Sequence, residues 1–228
     1  YKREGGEYKM FGQLNVTQVV PATPPEWAFD PLKVDKLYQP IYDRVNYPAA
    51  GATSLNFFSV PVGGTATIIR AGTAASVTKT RRDTNLTNQS VLPNEGFDWQ
   101  GIAITYIPLQ QADSAAATTS ILEDIQNIMY GGYFTFKVLD NTLLEGPLHW
   151  LPSITGFDGL VSTTVTAMTM VACQPGSGDP RAAFWVTEKK FLPPNTGFSF
   201  QMNWDGTVTT TQTIDIVITL LGVKFRPK

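Results

Sequence analysis

The chain has 228 residues, 17 basic and 19 acidic side chains, a formal net charge of −2, one His and one Cys. That length suits one all-β domain or a domain with a long arm, the charge argues against a general nucleic-acid binder, and the lone Cys excludes an internal disulfide or a Cys-based zinc site. Charged residues make up 16% of the chain, below the ~25% of ordinary soluble domains, yet 43% is hydrophobic, too much for a disordered chain.

Residues 1–52 read as an extended N-terminal arm carrying one strand. Lys2 to Lys9 is polar and charged, and Leu14 to Val20 alternates as a strand does. Pro21, Pro24, Pro25, Pro31, Pro40 and Pro48 follow, and proline excludes helix and central strand because it fixes φ and lacks an amide donor. The same stretch carries Trp27, Phe29, Tyr38 and Tyr42, too many large apolar groups for a free linker. The arm therefore lies on its own barrel or on a neighbouring subunit. Leu14, Val16, Val20, Trp27, Phe29 and Tyr38 are its candidate interface residues.

Residues 53–228 read as many short strands. Leu55 and Phe57 share one strand face, and Pro61 with Gly63-Gly64 ends that strand. Thr65 to Arg70 is the next strand. Ala71 to Pro93 is a polar loop with a short strand near Ser76 to Thr80, and Asp98 to Ile107 is a strong strand with Ile102, Ile104 and Tyr106 on one face. One helix interrupts the series. Thr119 or Ser120 can cap it, Ser120 with Glu123 has capping-box spacing, and Ile121, Leu122, Ile125, Ile128 and Met129 form its apolar stripe. Gly131-Gly132 should end it through a left-handed residue. Further strands are predicted from Tyr133 to Leu139 with Phe134, Phe136 and Val138 inward, then from Val161 to Ala172, Ala183 to Lys189, Gly197 to Trp204, and Thr213 to Phe225 with a bulge at Gly222. The count is about eight, the number in one jelly roll of two packed antiparallel sheets. The uneven spacing fits Greek-key crossovers, and other sandwiches and barrels remain open.

No apolar run approaches the ~18 residues of a membrane-spanning helix. The first residue is Tyr1 rather than Met, which leaves room for an upstream segment.

Catalytic patterns are sparse. His149, beside Trp150, has no assignable nucleophile or orienting partner. Cys173 ends a Thr/Val/Met strand and reads as a small buried hydrophobe. The carboxylates Glu123, Asp124, Asp98, Asp205 and Asp215 form no convincing pair. No cofactor or metal site can be named, and an enzyme is disfavoured. Basic residues are few in the arm, with Lys2, Arg3 and Lys9 partly offset by Glu4 and Glu7. Direct packaging of nucleic acid would need many phosphate contacts, so none is expected.

Two stretches carry a family resemblance. One runs from Asp83-Thr84-Asn85-Leu86-Thr87 to Leu92-Pro93 and on through Phe97-Asp98-Trp99-Gln100-Gly101-Ile102; the other is Phe191-Leu192-Pro193-Pro194-Asn195-Thr196-Gly197-Phe198-Ser199-Phe200, followed by a long closing strand. Over residues 53–228 the chain resembles the jelly-roll major capsid proteins of tailless icosahedral bacteriophages, especially small lipid-containing ones. The resemblance implies a structural protein of the virion that self-assembles through barrel sides and the N-terminal arm. Its partners would be copies of itself, as trimers, pentamers or hexamers within a shell, with other capsid proteins or an underlying membrane. Many members of that group are double jelly rolls, for which this chain is short. A single-barrel coat protein, a vertex protein and a compact double barrel all stay open. The alternative is a carbohydrate-binding jelly-roll module, secreted or on a virion surface, whose Trp and Tyr would line a sugar site.

Overall fold

A computed structural model describes residues 34–109, 115–151, 157–158, 174–175 and 183–228. Strands β1 (Val34–Leu37), β2 (Ile41–Tyr47), β3 (Ser54–Phe57), β4 (Thr65–Arg70), β5 (Thr73–Thr78) and β6 (Gly96–Pro108) precede helix α1 (Ala115–Gly131). After it come β7 (Gly132–Val138), β8 (Asn141–Pro147), a 3-10 turn at Leu148–Trp150, β9 (Phe157–Asp158), β10 (Gln174–Pro175), β11 (Phe184–Leu192), β12 (Phe198–Trp204) and β13 (Ile214–Pro227). The described residues form antiparallel sheets with one α-helix, so the chain is mostly β, as the alternating pattern predicts.

Two sheets organise it. In the first, β1 and β2 lie end to end along one side of β13, followed by β6 and β11; in the second the order is β3, β12, β7, β8. The connectivity is nested. Outermost in sequence, β2 pairs with β13; then β3 pairs with β12, β6 with β11, and β7 with β8. The chain changes sheet at every step between these eight strand positions except the β7–β8 hairpin. Pairing of β13 with β6, and of β12 with β7, knits each sheet together. Hairpin β4–β5 stands apart, as does the short pair β9–β10.

Alternation sets which side chains meet. Phe198, Phe200, Met202 and Trp204 of β12 and Phe134, Phe136 and Val138 of β7 are buried, as are Ile102, Ile104 and Tyr106 of β6. Rings from facing sheets meet: Trp99 and Phe136 have centroids 4.7 Å apart, and Tyr47 and Trp204 are 5.1 Å apart edge to face. Such pairs add about 0.5–1.5 kcal/mol each beyond area burial. Helix α1 buries Ile121, Ile125 and Ile128, and the indole of Trp204 donates to the carbonyl of Ile128 at 2.9 Å.

Several expectations shift. Residues 34–47, assigned to the arm, form β1 and β2 of the first sheet. The proline argument survives there in part: β1 and β2 are edge strands, and Pro40 falls in the break between them. Strand β8 was not predicted. The segment Thr65 to Arg70, counted as a barrel strand, instead joins β5 in the separate hairpin. The predicted strand Val161 to Ala172 and Cys173 lie outside the described residues. The helix begins at Ala115, so Ser120 and Glu123 sit inside it rather than at its cap.

Gly131 and Gly132 do not adopt positive φ. Gly132 is required by space instead: a Cβ there would sit 2.5 Å from Trp204 Nε1 and 2.6 Å from Leu148 Cδ1. The irregularity expected at Gly222 is present, but the extra residue is Gln100 of β6, which is skipped between the pairs Leu221–Gly101 and Gly222–Trp99. Gly222 stands opposite this bulge, where a Cβ would lie 2.2 Å from the Asp98 carbonyl oxygen.

Candidate functional site

Edge strands come first, because their unpaired amides and carbonyls can recruit another chain. The edges of the first sheet are β1–β2 and β11; those of the second are β3 and β8. Exposed aromatics gather at or beside them. Tyr38, in the break between β1 and β2, is 88% exposed, and Trp185 on β11 is 50% exposed. Tyr133 and Trp150 flank the β7–β8 hairpin, and Trp150 packs where a Cβ on Gly146 would meet its ring. Of the predicted interface residues, Tyr38 is therefore on the surface at a sheet edge. Leu14, Val16, Val20, Trp27 and Phe29 lie outside the described residues.

A second feature is a set of buried charges beneath hairpin β4–β5. The register places Arg44, Asn46 and Asp215 on the outer face of the first sheet, yet Asp215 is fully buried and Arg44 nearly so. The covering element is β4. Asp215 Oδ2 accepts from Arg44 Nε at 2.6 Å and from the Ile69 amide at 2.7 Å, while Asn46 donates to Oδ1 at 2.7 Å. Arg44 Nη2 also donates to the Ile69 carbonyl at 3.0 Å. The ion pair thus grips both backbone polar groups of one β4 residue, Ile69.

Two more pairs fasten the chain that follows the hairpin. Lys79 Nζ lies 2.6 Å from Asp43 Oδ1, with both side chains essentially buried, and the Phe58 amide donates to Asp43 Oδ2 at 2.7 Å. Arg70 pairs with Asp83, whose Oδ2 also accepts from the Thr80 amide at 2.9 Å. Burial pushes the Asp43 carboxyl above its ordinary value, against the pull of the Lys79 ammonium. Breaking such a pair on one side costs about 3–5 kcal/mol, because the remaining charge is stranded. These groups hold the hairpin to the sheet, with Arg70 Nη1 and Asp83 Oδ1 left buried and without a hydrogen-bond partner among the described residues.

The other chemical candidates stay apart. His149 is exposed in the 3-10 turn, its ring 6.1 Å from that of Tyr130. Asp98 accepts from Gln100 at 3.1 Å, Asp124 accepts from the amide and hydroxyl of Thr211, and Asp215 is taken up by its ion pair. Among the described residues no group of three or more His, Cys, Asp or Glu is placed to hold a metal ion. No helix among them is long and apolar enough to cross a membrane.

The sequence reading missed Asp43, Arg44, Lys79 and Asp83 as a unit. Their signal was available in part: Asp43-Arg44 and Asp215 interrupt otherwise apolar strands, and charges so placed need partners. No family model, curated protein or solved structure matches the chain.

Proposed function

We propose that the chain is a structural subunit of an icosahedral virus shell, built as a single eight-stranded jelly roll and acting without catalysis. The observation that carries this reading is the nested pairing of eight strand positions across two sheets, four positions in each, with β1 and β2 sharing one. We read that connectivity as a double Greek key of the kind found in jelly rolls, an architecture recurrent in viral coats. Fold alone does not assign function. The surface adds support: charged residues are 16% of the chain, and aromatics are exposed at sheet edges, where a neighbour would cover them. In this reading the part of the expected arm that precedes β1, residues 1–33, serves assembly.

The test is native mass by light scattering on the full chain, with negative-stain imaging of the same sample. Trimers, pentamers, hexamers or closed shells are expected, and their symmetry separates coat from vertex protein. A monomer of 25.0 kDa that persists at high concentration overturns the reading and directs attention to glycan binding. Deletion of residues 1–33 should reduce assembly while the domain stays folded. Deletion through residue 50 should unfold it, because β1 and β2 would be lost from the first sheet.

A further inference from the structure

The break in the edge strand between Leu37 and Ile41 opens beside a cavity at one end of the two-sheet core. Its volume is about 250 Å³, and its polar lining includes Tyr42, Arg81, Asn85, Glu95, Lys224 and Arg226. Three cations thus face one carboxylate, in a chain whose net charge is −2. Drug-sized ligands occupy cavities of roughly 300–1,000 Å³, so this one suits something smaller.

The cations are unequally satisfied. Arg226 donates through Nε and Nη2 to Glu95 Oε1 at 3.0 and 2.8 Å. The Lys224 side chain is 5% exposed, and its ammonium has Glu95 Oε2 at 3.4 Å as its ion-pair partner among the described residues. An ammonium carries three donors, and a group so buried is ordinarily well bonded. It points along the inner side of β13, since its register partner Phe97 is a core residue. Arg81 is exposed at the rim and forms no ion pair among the described residues.

The wall is held in place without any ligand. The Tyr42 hydroxyl donates to the Arg81 carbonyl, the Tyr42 amide donates to Asn85 Oδ1 at 3.1 Å, and Asn85 Nδ2 donates to the Pro40 carbonyl at 2.7 Å. A site fixed beforehand loses little freedom on binding.

From this geometry we propose that the cavity binds a small phosphate-class oxyanion. Lys224 supplies a desolvated ammonium, Arg81 a guanidinium at the mouth, and Glu95 orients Arg226 while limiting the net positive charge. Charge-assisted hydrogen bonds from arginine and lysine suit a compact tetrahedral anion. The inference stands on this cavity and is independent of the shell reading.

The experiment is calorimetric titration of the full chain with sodium phosphate, with sodium chloride at matched ionic strength as the control. Glycerol 3-phosphate in a parallel titration separates a free phosphate from one carried on a headgroup. Saturable binding with a Kd in the millimolar range or below is expected. Arg81→Gln, on an exposed side chain that the fold does not need, should weaken it about tenfold. Lys224→Met should abolish it. Glu95→Gln should tighten it several-fold, a sign that a merely structural role would not produce. Absence of a saturable response beyond the chloride control overturns the proposal. So does an Arg81→Gln protein that binds as the parent does.

Discussion

Replacing Lys79 by Met keeps most of the side-chain volume and removes the charge that faces Asp43. The parent pair is 2.6 Å apart with side chains 1% and 0% exposed, so solvent cannot take over the role of the ammonium. The carboxylate keeps the Phe58 amide as a donor and must otherwise remain charged in a dry site or take up a proton. Protonation at pH 7, against an ordinary value of 3.8, costs about 4 kcal/mol. That falls within the ~3–5 kcal/mol typical of a one-sided break in a buried pair.

The sign of the pH dependence then follows. The folded variant holds a proton on Asp43 that the unfolded chain releases above its ordinary value. Because the parent's own Asp43 is already held above its ordinary value, stability relative to the parent falls once pH passes that raised value, by up to about 1.4 kcal/mol per unit. Urea denaturation of both proteins at pH 5 and pH 7 measures it. The deficit should be clearly larger at pH 7 than at pH 5. Adding Asp43→Asn to the variant should flatten the difference. A deficit that is the same at both pH values would refute the reasoning, because the stranded carboxylate would then not be what destabilises the variant.

Gly222→Ala should cost about 3 kcal/mol or more in urea midpoint terms, since its Cβ would lie 2.2 Å from the backbone oxygen of Asp98 and neither strand can retreat. Phe200→Ala removes a fully buried ring that stacks on Phe134 at 5.5 Å and meets Phe57 edge-on at 5.7 Å. A loss of about 3–5 kcal/mol is expected in the same assay. Tyr106→Phe should act in the opposite direction. The Tyr106 hydroxyl is buried with no hydrogen-bond partner among the described residues, and burial pushes its phenol above the ordinary range. Removing it should leave stability unchanged or raise it by about 1 kcal/mol; a clear loss would mean that the hydroxyl is hydrogen-bonded.

Legibility in the sequence followed the strength of the period. Phe198, Phe200, Met202 and Trp204 alternate without interruption, and their strand and inward face were predicted with boundaries one residue from those found. Strand β8 reads Asn-Thr-Leu-Leu-Glu-Gly-Pro, with a register shift opposite Phe136 and Lys137. A shifted alternation between polar ends carries almost no period, so it was missed. Strand β2 was hidden by its proline-rich flanks and by Asp43-Arg44, which look like loop residues until Lys79 and Asp215 arrive from far along the chain. Local pattern cannot encode a partner 171 residues away. The same holds for the cationic cavity. Arg81, Glu95 and Lys224 are unremarkable in sequence and become a site only when the end of β13 meets the loop before β6.

The second sheet also bears on where a neighbouring copy would lie. Its inward residues are apolar, while Ser54 and Asn56 of β3 and Ser199, Gln201 and Asn203 of β12 face outward by register. None of these five is charged, although Lys137 of β7 stands beside Ser199 and Glu145 of β8 beside Thr135 on the same outer face. A polar, sparsely charged face loses less on leaving water than one dense in ions, provided that its amides and hydroxyls find partners across the contact. Such a face can rest in solvent and also be covered, which is what a subunit shared between free and assembled states requires. Gln201→Lys tests this directly. On the free domain a surface lysine should change stability by less than ~0.5 kcal/mol. If the β3–β12 face is covered on assembly, each contact would bury an unpaired ammonium, and particle yield by sedimentation should fall sharply with no change in the thermal midpoint of the free subunit. Normal yield from the variant would exclude this face and leave the exposed aromatic edges around Tyr38 and Trp185 as the surfaces through which copies meet.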